Sequence, residues 1–159
     1  MSFKTADLCD GHHELVKVNQ EVFYSYGKKK KFHGKVSTVK VFEDNVLVLE
    51  ALESIPEGHV LVVDGGGSRR CALMGDRLAK IAETRGLAGV IIYGCVRDTA
   101  DIAAMDIGVL AIGSSPLKSR KAGKGDRNTI VTFGGLDWLP DEYVYADEDG
   151  VIVSEKPLL

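Results

Sequence analysis

The sequence predicts a mixed α/β domain in which a parallel sheet is covered by helices, and three observations carry that prediction. An apolar run at His59 to Val63, an amphipathic stretch from Asp76 to Arg85 and a second apolar run from Ala88 to Tyr93 read as strand, helix and strand, a right-handed crossover. A second cycle follows, with Thr99 to Met105 reading as helix and Gly108 to Ile112 as strand. The 159 residues are 45% hydrophobic, enough for one compact core, and no repeat or linker divides them, so residues 1–159 are read as a single domain.

From the start of the chain, Thr5 to Gly11 reads as the opening turns of a helix. Val36 to Phe42, rich in β-branched residues with partial alternation, reads as a strand where an antiparallel sheet edge begins. Asp44 or Asn45 can cap a short helix through Leu52, because a side-chain oxygen there accepts from the first free N–H groups. Pro56 and Gly58 end it in a turn. His59 to Val63 lacks polar alternation, as a strand buried on both faces does, and Asp64 begins a glycine-rich loop reaching Gly75. In the helix from Asp76, Leu78, Ile81 and Ala82 share one face while Lys80, Glu83 and Arg85 lie largely on the other, and Gly86 stops it. Thr129 to Phe133 is a further β segment, and Tyr143 to Asp147 and Val151 to Ser154 flank Asp149 and Gly150, a hairpin signal.

Composition narrows the function. A net charge of -3 argues against a general nucleic-acid binder, while a local patch would still serve a small anionic ligand. Cys9, Cys71 and Cys95 are odd in number, widely spaced and without a paired zinc or redox motif, which fits a reducing cytosol. No basic start with an apolar run marks a secretory signal, and no apolar stretch approaches the roughly 20 residues of a membrane span. The expectation is an unprocessed cytoplasmic protein with no membrane partner.

Several motifs fall short of the chemistry they suggest. Gly65, Gly66 and Gly67 follow a strand, but Arg70 stands where a dinucleotide loop needs its third glycine. Gly123, Lys124 and Gly125 lack the upstream glycine and trailing hydroxyl of a phosphate loop. Lys28 to Lys31 form the one dense positive run, read as a solvated loop or as a contact for an acidic partner or RNA backbone. His12 and His13 are adjacent and have no third ligand at metal spacing, and nothing indicates the burial that would make Lys80 nucleophilic.

Asp76 and the adjacent pair Arg97 and Asp98 are different, because local structure makes them converge. A helix from Asp76 travels roughly 15 Å outward, and the strand from Ala88 returns by roughly 20 Å. All three groups then sit where strands stop and helices begin, the usual ligand site of an α/β layer. A structural alternative pairs Arg97 with Asp76 and lets Asp98 cap the helix at Thr99. Chemically, an arginine fork suits a carboxylate or enolate oxygen, and one carboxylate plus a chelating substrate holds Mg2+ or Mn2+. Free N–H groups at residues 76 to 78 would receive a second anion.

The stretch Val62-Val63-Asp64-Gly65-Gly66-Gly67-Ser68-Arg69-Arg70, the run Gly75-Asp76-Arg77-Leu78-Ala79 and the segment Gly94-Cys95-Val96-Arg97-Asp98 resemble the RraA-like family. The likeness extends from Asp7-Leu8-Cys9-Asp10 through Phe133-Gly134-Gly135 to Tyr145-Ala146-Asp147. That family holds regulators of ribonuclease activity A and metal-dependent 4-hydroxy-4-methyl-2-oxoglutarate aldolases. The resemblance implies a single-domain swivelling β/β/α fold, with mixed sheets and flanking helices, assembled as a homotrimer with sites at subunit boundaries. An aspartate followed after a gap by an arginine-aspartate pair marks the aldolase members, and the regulators lack those acids.

By that resemblance Gly75, Asp76, Arg77, Leu78 and Arg97 hold the pyruvate moiety of a 2-oxo acid, Asp98 anchors a divalent metal partly through waters, and Asp76 orients the water that moves the proton. The expected reaction is class II cleavage of 4-hydroxy-4-methyl-2-oxoglutarate to two pyruvates, with oxaloacetate decarboxylation through the same enolate. The rival expectation is a non-catalytic regulator whose acidic ring surface binds an endoribonuclease of the RNase E type or its helicase partners, without touching nucleic acid. Longer aldolases of the family carry a C-terminal extension that supplies an acid to the neighbouring site, and this sequence ends at Leu159, which leaves the identity of the general base open.

Overall fold

In the computed structural model, which describes residues 2–159, four helices are interspersed among the strands of the first two thirds of the chain and strands alone follow. The first half contains α1 (Thr5–His12), β1 (Val16–Val18), β2 (Tyr24–Ser25), β3 (Phe32–Lys40), α2 (Val46–Ser54), β4 (Val60–Asp64), β5 (Ala72–Met74) and α3 (Asp76–Thr84). The second half contains β6 (Gly89–Val96), α4 (Thr99–Ile102), β7 (Gly108–Ser114), β8 (Asp126–Arg127), β9 (Val131–Phe133), β10 (Leu136–Trp138), β11 (Tyr143–Asp147) and β12 (Gly150–Ser154).

β3, β4, β6 and β7 are parallel neighbours at the centre. Every position of β4 is buried, which is why its sequence shows no alternation. Leu61 and Val63 face one way and join Val90, Ile92, Val109 and Ala111 under the apolar sides of α2 and α3, including Val48, Leu52, Leu78 and Ala82. Val60 and Val62 face the other way and join Ile91 and Leu110 against Val131, Phe133, Trp138, Val144 and Val153. Helices thus cover one face and further strands the other, the β/β/α layering of a single-domain α/β fold.

Two polar devices fix the helix layer. The Val46 N–H donates to Asp44 Oδ1 at 3.1 Å, so Asp44, rather than Asn45, satisfies the start of α2. At the other end Arg85 Nη1 and Nη2 donate to the carbonyls of Leu52 and Ile55 at 2.6 and 2.7 Å, tying the exit of α3 to the exit of α2. No helix among the described residues is long and apolar enough to cross a membrane.

The structure corrects the sequence-based expectation in four places. β3 begins at Phe32 and is no sheet edge: Phe32 to Lys35 pair antiparallel with β11, and Val36 to Lys40 pair parallel with β4. The segment from Asp64 to Gly75 is interrupted by β5, whose three residues are all buried. β6 continues to Val96 instead of stopping at Tyr93. The helix at Thr99 ends after four residues, and the Asp106 N–H beyond it is taken by the Glu83 carboxylate at 2.6 Å.

Glycines at one end of the central strands make room for an aromatic ring. Gly89 and Gly108 are register partners on β6 and β7, and a Cβ on either would run into the Phe32 ring. Gly108→Ala should therefore lower stability by about 1–3 kcal/mol through overpacking. Urea unfolding checks this, and adding Phe32→Leu should recover part of the loss.

Candidate active site

Pairing of β5 with the end of β6 builds the site. Ala72 lies opposite Cys95 and Met74 opposite Val96, and the Arg97 N–H donates to the Met74 carbonyl at 3.0 Å. The chain leaving β5 into α3 is thereby held beside the chain leaving β6. Gly75 stands at the turn, where a Cβ would meet Asp98 Oδ2 at 2.5 Å and Arg97 Cγ at 3.3 Å. Only a residue without a side chain admits so close an approach.

The Asp98 carboxylate occupies that space. Its Oδ2 accepts from the Asp76 N–H at 3.0 Å, serving the first free donor of α3 from another segment. The backbone of Asp98 is left-handed, with φ 57° and ψ 42°, a conformation that costs a non-glycine residue about 1 kcal/mol and recurs at functional sites. It turns the carboxylate back towards α3. The Asp76 N–H bond holds the Asp98 carboxyl below its ordinary value of 3.8, slight burial opposes this, and the Asp76 side chain and the Arg97 charge lower it further.

The expected convergence of Asp76, Arg97 and Asp98 is present, but the structural alternative for them is not. Among the described residues Arg97 forms no ion pair with Asp76. Asp98 stands before α4 without making a side-chain capping bond. Of the three N–H groups expected to be free, that of Asp76 is taken by Asp98. Internal bonding of α3 begins with Ala79 donating to Gly75, so the N–H groups of Arg77 and Leu78 have no acceptor in their own helix. Leu78 buries its side chain and offers backbone alone, while Arg77 is exposed.

These groups line a cavity of about 180 Å³. Gly75, Asp76, Arg77, Leu78, Arg97 and Asp98 supply one part of its wall; Asn45, Ala72, Lys118, Ser119 and Lys121 supply the rest. The lysines escaped the sequence reading because the segment after β7 has neither periodicity nor a motif. The rejected candidates lie elsewhere: Lys80 is exposed and pairs with Glu83 at 2.8 Å, and the Gly65 and Gly67 N–H groups donate to the Tyr93 carbonyl. Lys30 and Lys31 bond to the Gly27 and Phe3 carbonyls.

No cluster of three or more His, Cys, Asp or Glu side chains able to hold a metal occurs among the described residues, His12 and His13 included. The donor chemistry still fits Mg2+ or Mn2+. Asp98 offers a hard oxygen donor kept ionised at neutral pH, beside the Asp76 carboxyl, and Mg2+ commonly takes one or two protein carboxylates with the remainder from substrate and water.

Comparison with known proteins gives a consistent family. The RraA-like description, Aldolase/RraA, matches residues 5–153. A Bacillus cereus protein provisionally named 4-hydroxy-4-methyl-2-oxoglutarate aldolase is 56% identical over 98% of both chains. One from Aromatoleum aromaticum with the same provisional name is 55% identical over 100% of both. Among solved structures, a Geobacillus kaustophilus chain described as S-adenosylmethionine:2-dimethylmenaquinone methyltransferase is 62% identical, with a TM-score of 0.97 over 98% of this chain and 97% of that one. The RNA-processing inhibitor RraA of Thermus thermophilis is 43% identical, with a TM-score of 0.95 over 99% and 95%.

Because the folded pKa of Asp98 lies below its ordinary value, the bond to Asp76 contributes stability above about pH 3.8, and that contribution is lost as pH falls through the folded value. NMR titration should find the Asp98 carboxyl below 3.8 in the parent and returned towards 3.8 in Gly75→Ala, whose methyl group displaces Oδ2. An unchanged titration in that variant would refute the steric link.

Proposed function

The chain belongs to the RraA-like family, Aldolase/RraA, and we propose that it is a divalent-metal-dependent aldolase that cleaves 4-hydroxy-4-methyl-2-oxoglutarate to two pyruvates. The observation that carries the reading is the convergence on one small cavity of Arg97, which forms no ion pair among the described residues, with the ionised Asp98 and the Arg77 and Leu78 backbone donors, which have no acceptor in their own helix. Shared descent alone does not decide function, since one fold supports several activities.

The pyruvate end of the substrate is anionic and planar, matching what this chain offers. The Arg77 and Leu78 N–H groups receive its carboxylate at the start of α3. Arg97 presents a fork to the 2-oxo and carboxylate oxygens. A divalent cation held by Asp98 supplies, when bound, Lewis-acid stabilisation of negative charge on the 2-oxo oxygen. Asp76 orients a water that removes the proton of the C4 hydroxyl. As the C3–C4 bond breaks, its electron pair passes into the enolate of the first pyruvate, and C4 becomes the carbonyl of the second. Protonation at C3 by the same water completes the reaction. In oxaloacetate the same bond breaks with loss of CO2, so one arrangement stabilises both developing charges.

Likeness to the Thermus inhibitor supports a second reading, in which a trimer of this chain engages an endoribonuclease or helicase through its acidic surface. The family resemblance likewise supports homotrimeric assembly in the cytoplasm.

A coupled pyruvate assay separates the readings. The parent should release pyruvate from both substrates with Mg2+ or Mn2+ and fall silent with chelator. Arg97→Ala should lower turnover by roughly 100- to 1,000-fold. Near-normal turnover of that variant would refute the mechanism, and a silent parent that captures a ribonuclease in a salt-sensitive manner would favour the regulator.

A further inference from the structure

We infer that Lys118 and Lys121 bind the second carboxylate of the substrate, so that the site selects 2-oxo acids carrying a distal carboxylate. The inference deepens the aldolase reading and rests on it for the identity of the cleaved bond, although its test does not.

The lysines are set by the strand order around the cavity. Ala72 of β5 pairs with Cys95 of β6 on one side and bridges to Lys118 on the other, where its N–H donates to the Leu117 carbonyl at 2.7 Å. β5 therefore lies between the segment bearing Arg97 and the segment bearing the lysines, and backbones two strands apart are roughly 10 Å from each other. Side chains reaching in from both sides leave a gap for a small molecule with anionic groups at both ends.

This lysine segment is held along its length. The Arg120 N–H donates to the Glu43 carbonyl at 2.8 Å and the Asn45 N–H to the Arg120 carbonyl at 3.3 Å. The Ala122 and Lys124 N–H groups donate to Oδ2 of the buried Asp44 at 2.9 and 3.3 Å. Lys121 Nζ donates to Asn45 Oδ1 at 3.2 Å, and Asn45 Nδ2 in turn donates to the Leu73 carbonyl at 3.2 Å. That ammonium is thus held by a fixed acceptor, with two of its three donors left over.

Charge completes the argument. Arg77, Arg97, Lys118 and Lys121 line the cavity against two acids, Asp76 and Asp98. The pyruvate end of a ligand is served by Arg97 and backbone donors, and neither lysine forms an ion pair with a protein carboxylate among the described residues. A second carboxylate balances them. In 4-hydroxy-4-methyl-2-oxoglutarate that group is C5, which leaves with the second pyruvate.

Titration calorimetry of the full chain with Mg2+ tests this with three probes: 2-oxoglutarate, its monocarboxylate counterpart 2-oxopentanoate, and oxalate, which spans only the pyruvate end. The parent should bind 2-oxoglutarate at least about 10-fold more tightly than 2-oxopentanoate. Lys121→Ala and Lys118→Ala should each reduce that preference, and the double variant should abolish it, with 2-oxopentanoate and oxalate binding unchanged. Equal binding of the two oxo acids by the parent, or parallel loss of all three probes in the variants, would overturn the inference. Should the discrimination hold while the parent fails to cleave any substrate, the subsite stands and the aldolase reading falls.

Discussion

The hydrogen bond between the Asp76 N–H and the Asp98 carboxylate is the constraint on which the site depends. It joins the first residue of α3 to the turn after β6 and ties together three features that would otherwise look unrelated. Gly75 must lack a side chain, Asp98 must adopt a left-handed backbone, and β5 must pair with the last residues of β6. Arg97 is left outside the bond. An arginine neutralised by Asp76 would have offered a ligand little, whereas here Asp76 lends its backbone N–H to Asp98 and the Arg97 guanidinium forms no ion pair among the described residues.

Using a carboxylate from elsewhere to cap a helix has an electrostatic result as well. The amide and the helix dipole hold Asp98 ionised without placing a compensating cation directly on it. The acid keeps its charge and leaves its second oxygen outside that bond. Cationic groups gather instead around the rest of the cavity, Arg77, Arg97, Lys118 and Lys121 among them.

Much of this was legible in the sequence. The amphipathic spacing of Leu78, Ile81 and Ala82, the unbroken apolar run of β4 and the Asp149-Gly150 turn each carry a strong local signal, and the architecture follows from their order. Asp76, Arg97 and Asp98 could be brought together because a helix and a strand of known rise connect them. What escaped depends on pairing over long separations. β5 has only three residues amid glycines, and its register comes from β6. The bond from Asp76 to Asp98 competes with capping of the following helix, a choice that only the left-handed turn decides. Lys118 and Lys121 occupy an irregular segment ordered by Asp44 and Asn45, more than 70 residues earlier in the chain.

β3 belongs to two layers at once. Its first four residues pair with β11 and its last five with β4, so a single continuous rod crosses the boundary between the terminal hairpin and the parallel centre. Opening of the hairpin strips ladder bonds from Phe32 to Lys35, and opening of the parallel centre strips them from Val36 to Lys40. Because one unbroken strand joins them, the hairpin and the parallel centre can separate only by giving up the ladder bonds on one half of that rod.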